Sequence, residues 1–110
     1  MKTDLSYLET MTEGDKDLIK ELIGIFSTQV VEYSDQLDKF YEEENWTELS
    51  KLAHKAKSTL AIMGMKELSE KLKQLELMSK EGKDRESYAS VIKFFNSECK
   101  EAVLELQHYR

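Results

Sequence analysis

Apolar residues recur every three or four positions along most of this chain, which is the spacing of one face of an α-helix. Four segments carry the pattern: residues 15–43, 47–63, 66–80 and 85–108. Short polar stretches separate them, and short connections place consecutive helices antiparallel to one another. The pattern therefore predicts an all-α fold, an antiparallel up-down four-helix bundle.

A shorter apolar pattern precedes these segments. Leu5, Leu8 and Met11 have helical spacing, and the run Thr12-Glu13-Gly14 interrupts it. We expect residues 1–14 to form a short helix that caps the end of the bundle, and residues 15–110 to form the bundle. The length of 110 residues is enough for a single core, so residues 1–110 are predicted to be one domain.

The same spacing predicts where the helices begin and bend, and which side chains face the core. Asp15 and Thr47 are expected N-caps, and Gly64 is expected to end the second helix. A break or bend of the first helix near Tyr33 and Ser34 is an open alternative, since Ser34 could restart a helix. The first helix is expected to bury Leu18, Leu22, Phe26, Val30, Tyr33 and Leu37. Its extra isoleucines are expected either to be buried by the N-terminal segment or to form a partner-binding patch; they are Ile19, Ile23 and Ile25.

The second segment has an unusual outward face. Its core stripe is expected to consist of Leu49, Leu52, Ala53, Ala56, Leu60 and Met63. At about 100° per residue, His54 points away from that stripe, and its neighbours one or two turns away are Ser50, Lys57, Ser58 and Ala61. A lone imidazole among small side chains provides a flat surface, which suits the docking of another protein.

These residues resemble the phosphoacceptor helix of histidine-containing phosphotransfer (HPt) domains. The positions that fit the family pattern are His54, Lys57, Thr59, Leu60, Met63 and Gly64. Two positions depart from it: Ala56 stands where a larger apolar residue is usual, and Ser58 stands where glycine is usual. The resemblance extends from about Tyr7 to Tyr109 and implies a role in multistep two-component phosphorelays.

The resemblance implies specific roles for three side chains. His54 would be the phosphoacceptor, because a mostly neutral imidazole keeps one ring nitrogen free for attack on an acyl phosphate. Lys57, three positions later, would offset the charge of the phosphoryl group. Glu76 falls where related domains place a residue that orients the imidazole, with Gln74 as a weaker candidate. Ser50, Ser58 and Ala61 would form the surface on which receiver domains dock.

The chain lacks a glycine-rich phosphate loop and any nucleotide-binding pattern, so no ATP-dependent kinase activity of its own is expected. It would accept a phosphoryl group from the aspartate of one receiver domain and pass it to another. The expected partners are receiver domains and a hybrid sensor histidine kinase. No cofactor or metal is expected on this chain, and the Mg²⁺ would belong to the partner receiver domain.

Charge and composition narrow the partners further. The net charge is −6 and no basic stripe exists, so nucleic acid is an unsuitable partner. The single Cys99 excludes an internal disulfide and is expected in the core. No apolar run reaches the length of a membrane span, and no signal peptide is recognisable. We expect a cytoplasmic monomer that does not bind membranes.

Other functions remain open at this point. The chain could be an interaction or scaffold bundle that carries no phosphate, or the phosphoacceptor domain of a chemotaxis-type histidine kinase. A histidine-kinase dimerisation segment usually has an acidic residue after the histidine, whereas Lys55 follows His54 here. A di-iron bundle needs two Glu-x-x-His pairs, and the chain offers one, Glu105 with His108.

Overall fold

The computed structural model describes residues 2–109, so the two terminal residues of the predicted domain lie outside the described residues. The helices are α1 (Ser6–Met11), α2 (Lys16–Glu42), α3 (Trp46–Ile62), α4 (Lys66–Glu81) and α5 (Tyr88–Leu106). A single 3-10 turn, Arg85–Ser87, leads into α5. Residues 2–109 contain no β-strand, and none of their helices is both long and apolar enough to cross a membrane.

The four long helices form a closed bundle. Each packs against its neighbour in the chain, and α2 closes the ring by packing against α5. The α3–α4 pair has the most extensive contact. The bundle is 42 Å long, which is close to the length of about 40 Å expected for the 27 residues of α2. The predicted all-α, up-down four-helix architecture is confirmed.

Most of the side chains that were expected to face the core are buried. The exception lies in the first turns of α2. Leu18 is 40% exposed and Leu22 only half-buried, whereas Ile19 is 1% exposed. The buried stripe of α2 consists of Ile19, Ile23, Phe26, Val30, Tyr33 and Leu37. The expectation for Leu18 was wrong because two apolar phases, one with Leu18 and the other with Ile19, both lead into Phe26 at helical spacing, and only the second is buried.

The helix boundaries correct one further expectation and decide the open alternative for α2. Asp15 caps α2 as predicted, its side chain accepting a hydrogen bond from the Leu18 amide at 3.1 Å. Asn45, not Thr47, caps α3 by accepting from the Glu48 amide at 3.3 Å. The helix does not break near Tyr33 and Ser34, since α2 runs without interruption from Lys16 to Glu42.

The N-terminal segment closes one end of the bundle. The Thr3 amide and hydroxyl donate to Oε2 of Glu105 at 3.1 and 2.9 Å, and the Asp4 amide donates to the Met63 carbonyl at 3.0 Å. Leu8 of α1 is 1% exposed and belongs to the core. The segment therefore ties the end of α3 to the end of α5.

Cys99 lies in the core on α5, as expected. Burial raises the pKa of its thiol to about 12, so the group stays protonated and behaves as a small apolar side chain.

Gly64 allows the N-terminal segment to approach α3. It follows the last turn of α3 with a φ of +74°, in the left-handed region that side chains disfavour. A Cβ at this position would lie 2.6 Å from Asp4 Cβ and 2.8 Å from the Asp4 amide nitrogen. Gly64 is thus required by its own backbone and by that of Asp4.

We expect Gly64→Ala to lower the free energy of unfolding by about 2–4 kcal/mol, because it combines left-handed strain with overpacking. Gly14→Ala is the matched control: its φ is +77°, but no atom lies within 4 Å of the added Cβ. That variant should lose only about 1 kcal/mol. Urea unfolding of both variants measures the difference, and equal losses would show that the contact with Asp4 is unimportant.

Candidate functional site

Three predicted site residues meet in the groove between α3 and α4. His54 lies on the outward face of α3, where 62% of its side chain is exposed. Lys57 follows one turn later, and Glu76 faces both from α4. The side chains of Lys57 and Glu76 are only 25% and 20% exposed. An exposed imidazole therefore stands beside a partly covered ion pair.

The Glu76 carboxylate bridges the other two side chains. Its Oε2 lies 3.0 Å from His54 Nδ1, and its Oε1 lies 3.0 Å from Lys57 Nζ. An ionised carboxylate can only accept hydrogen bonds, so Nδ1 must carry the proton. In the neutral ring, the other nitrogen, Nε2, then keeps its lone pair.

Charge around Glu76 supports the ionised form. Partial burial raises the pKa of the Glu76 carboxyl, but hydrogen bonds from Lys57 and His54, with their charges, outweigh it and leave the pKa lowered. Lys57 Nζ also lies 3.4 Å from His54 Nδ1. Because both atoms are donors in this tautomer, the carboxylate between them holds this arrangement together.

The structure also locates the other candidates. Gln74 is exposed and makes no hydrogen bond to the ring, so Glu76 alone of the two contacts His54. Ser58 and Ala61 are exposed beside His54, as the expected docking surface requires. Ser50 differs from the expectation that it belongs to the docking surface. It is only 8% exposed, because its short side chain packs into the α3–α4 interface and donates to the Glu76 carbonyl at 3.0 Å.

A groove of about 480 Å³ lies next to the imidazole, and its lining includes side chains that the sequence interpretation did not assign to the site. They are Thr47, Lys51 and Lys80. Lys51 precedes His54 by three positions, and Lys80 follows Glu76 by four, so helical spacing from the site residues would have indicated both. Two lysines therefore line the groove beside the imidazole, and the ammonium of one of them, Lys51, lies 3.6 Å from Glu48 Oε1.

On the other side of His54, the surface becomes apolar. His54, Ser58 and Ile62 follow one another at spacings of four along α3, and Ile62 is 42% exposed. Ile62 lines a second groove together with Ile25, which is 48% exposed, and Met11, which is 51% exposed. Of the three extra isoleucines of α2, Ile19 and Ile23 are buried, and only Ile25 contributes to this surface.

The placement of Glu105 gives no support to the di-iron alternative. Glu105 does not face the interior of the bundle. Its carboxylate accepts hydrogen bonds from the amides of Lys2 and Thr3 and from the Thr3 hydroxyl. His108 is exposed near the end of the chain.

Comparisons with known proteins identify the family of this chain. The family model described as "Hpt domain" matches residues 21–108, which include the site. The chain is 30% identical, over 71 residues, to the phosphorelay intermediate protein YPD1 of Candida albicans. That match covers 64% of this chain but 39% of the relative, so the matched region spans well under half of YPD1. No solved structure is significantly similar to the chain.

We expect the bridge at Glu76 to make stability depend on pH. Its pKa is lowered from the ordinary value of 4.5, so the folded state favours the carboxylate. The stabilisation is therefore fully present above pH 4.5 and is lost as the pH falls through the folded pKa. At pH 7, Glu76→Gln should lower the free energy of unfolding by about 1 kcal/mol.

Urea unfolding of both proteins at a series of pH values checks this expectation. The difference between wild type and Glu76→Gln should shrink as the pH falls below 4.5. A difference that stays constant across the series would mean that the variant loses packing and not a charge interaction.

Proposed function

This chain belongs to the Hpt domain family, and from that premise we propose that it is a phosphorelay intermediate whose phosphoacceptor is His54. In this proposal, His54 accepts a phosphoryl group from the aspartate of one receiver domain and passes it to the aspartate of another. The observation that carries the proposal is the contact of 3.0 Å between His54 Nδ1 and Glu76. It leaves Nε2 as the nucleophilic nitrogen of an exposed ring.

The transfer needs no proton from elsewhere. The Nε2 lone pair attacks the phosphorus of the aspartyl phosphate, the phosphorus–oxygen bond to the aspartate breaks, and the aspartate leaves as a carboxylate. The ring keeps its Nδ1 proton and gains positive charge, which the Glu76 carboxylate stabilises at 3.0 Å. The second receiver's aspartate reverses these steps.

In this proposal, Lys57 contributes to charge compensation. Its ammonium lies 3.4 Å from His54 Nδ1, on the Glu76 side of the ring, and is held in place by Glu76. We infer that from this position its positive charge offsets part of the negative charge that a phosphoryl group on Nε2 brings to the ring. Phosphoryl transfer depends mainly on alignment and charge neutralisation. In this proposal, Glu76 aligns the imidazole and Lys57 contributes to charge neutralisation.

The surface around His54 suits a receiver domain as the partner. The small side chains of Ser58 and Ala61 leave the imidazole accessible, and Ile62 and Ile25 continue this surface with exposed apolar area. A domain whose active site carries the aspartate and its Mg²⁺ can dock there. The chain would act as a monomeric carrier between a hybrid sensor histidine kinase and a response regulator, with no ATP-dependent activity of its own.

We expect His54→Gln to abolish phosphorylation while the fold is kept, because His54 is exposed and contributes no core contact. The assay incubates a labelled, phosphorylated receiver domain with wild type and variant, and reads acid-labile, base-stable label on this chain. Circular dichroism and thermal unfolding show that the variant is folded. Label that persists on the variant would place the acceptor elsewhere. A wild type that no receiver in a panel can label would favour the scaffold function, and Ser58→Gly would then be the first variant to test.

We expect Lys57→Gln to slow the transfer about tenfold, the effect of losing one hydrogen bond to a charged group. Lys55→Gln is the matched control, since Lys55 is exposed on the same helix and outside the Glu76 bridge. Its rate should stay within about twofold of the wild type, as for other surface charges. Rapid-quench assays with one receiver domain measure both rates. Equal slowing by the two variants would point to the general positive potential of α3 and against a specific role of Lys57.

A further inference from the structure

Two hydrogen bonds join α3 to α4 on either side of His54. The Ser50 hydroxyl of α3 donates to the Glu76 carbonyl of α4 at 3.0 Å. In the opposite direction, the Ser69 hydroxyl of α4 donates to the Lys57 carbonyl of α3, also at 3.0 Å. Each serine thus binds the backbone of a residue whose side chain belongs to the site, on the other helix.

The two hydrogen bonds have the same register. On α3 the two bonded residues, Ser50 and Lys57, are seven positions apart, and on α4 the bonded residues, Ser69 and Glu76, are also seven apart. In antiparallel helices this spacing corresponds to one alignment of the two backbones, fixed at two points about 10 Å apart. His54 lies between those points.

These serines differ from the helical serines that bond within their own helix. A serine inside a helix usually bonds the carbonyl four residues before it, as Ser27 does with Ile23 at 2.9 Å. Ser50 and Ser69 instead reach the neighbouring helix, which requires the two backbones to lie close together. Ala53 and Ala56, both fully buried on α3, leave room for that approach.

We propose that Ser50 and Ser69 are positioning residues that set the axial register of α4 on α3 and so hold the Glu76 carboxylate against His54 and Lys57. Apolar contacts between the helices are non-directional and tolerate sliding. A hydrogen bond of 3.0 Å does not, because a slide of about 1 Å breaks it. The effect on phosphoryl transfer rests on the proposed function, but the positioning is a property of the unphosphorylated chain.

The first test reads the ring itself. Long-range ¹H–¹⁵N spectra of His54, recorded in a His108→Gln background so that one histidine remains, distinguish the tautomer with the proton on Nδ1 from the other. The wild type should show the Nδ1–H form. The double variant Ser50→Ala, Ser69→Ala should move the two ¹⁵N shifts toward a mixture of tautomers, and Ser27→Ala should leave them unchanged. Unchanged shifts in a folded double variant would overturn the proposal.

A conservative variant separates positioning from packing. Ser69 is half-buried, so Ser69→Thr keeps the hydroxyl without filling the core and should retain the wild-type shifts, whereas Ser69→Ala should not. If the double variant fails to fold, this pair still decides the question. Identical spectra for Ser69→Ala and Ser69→Thr would count against the proposal.

Transfer from a phosphorylated receiver domain provides the second readout. The double variant should be slowed about fivefold, the factor that corresponds to one neutral hydrogen bond. If no receiver labels the wild type but the tautomer shifts as expected, the positioning is correct and the phosphorelay function is wrong. If the wild type is labelled and the double variant has wild-type shifts and rate, the positioning is wrong and the function is unaffected.

Discussion

The site depends on one carboxylate shared by two donors across a helix interface. Glu76 belongs to α4, while both of its partners, His54 and Lys57, belong to α3. Neither helix alone can fix the tautomer of the ring, because the proton on Nδ1 is determined by a group on its neighbour. The packing of α3 on α4 is therefore part of the chemistry, and the rest of the bundle matters to the site through the rigidity it gives to this pair.

The architecture could be predicted from the sequence because its signals are periodic and redundant. The spacing of apolar residues in each long helix repeats over several turns, so single ambiguous positions did not change the interpretation. The errors occurred where the signal was local. Leu18 and Ile19 compete for the core at the start of α2, and only contact with neighbouring helices decides between them. Asn45 and Thr47 are both good caps, and the choice depends on the preceding turn.

Only part of the site could be predicted from the spacing of residues along the helices. The positions of His54 and Lys57 on one outward face follow from helical spacing alone. The pairing of Glu76 with them came from the resemblance to HPt domains, because no periodicity gives the register between two helices. Ser50 was misplaced for the same reason: its position on α3 looks outward, but the covering helix α4 makes it an interface residue. Lys51 and Lys80 meet at the same groove only once that register is known.

The hydrogen bond between Nδ1 and Glu76 also has a consequence for regiochemistry. An imidazole can carry a phosphoryl group on either nitrogen, and the two products are distinct compounds with different reactivity. Because Nδ1 is bonded to Glu76 of α4, the phosphorylation that we propose for His54 would occur at the distal nitrogen and would give the τ isomer. On this proposal, the packing of α4 against α3 would select one of the two possible phosphohistidines before any partner docks, because it occupies the proximal nitrogen.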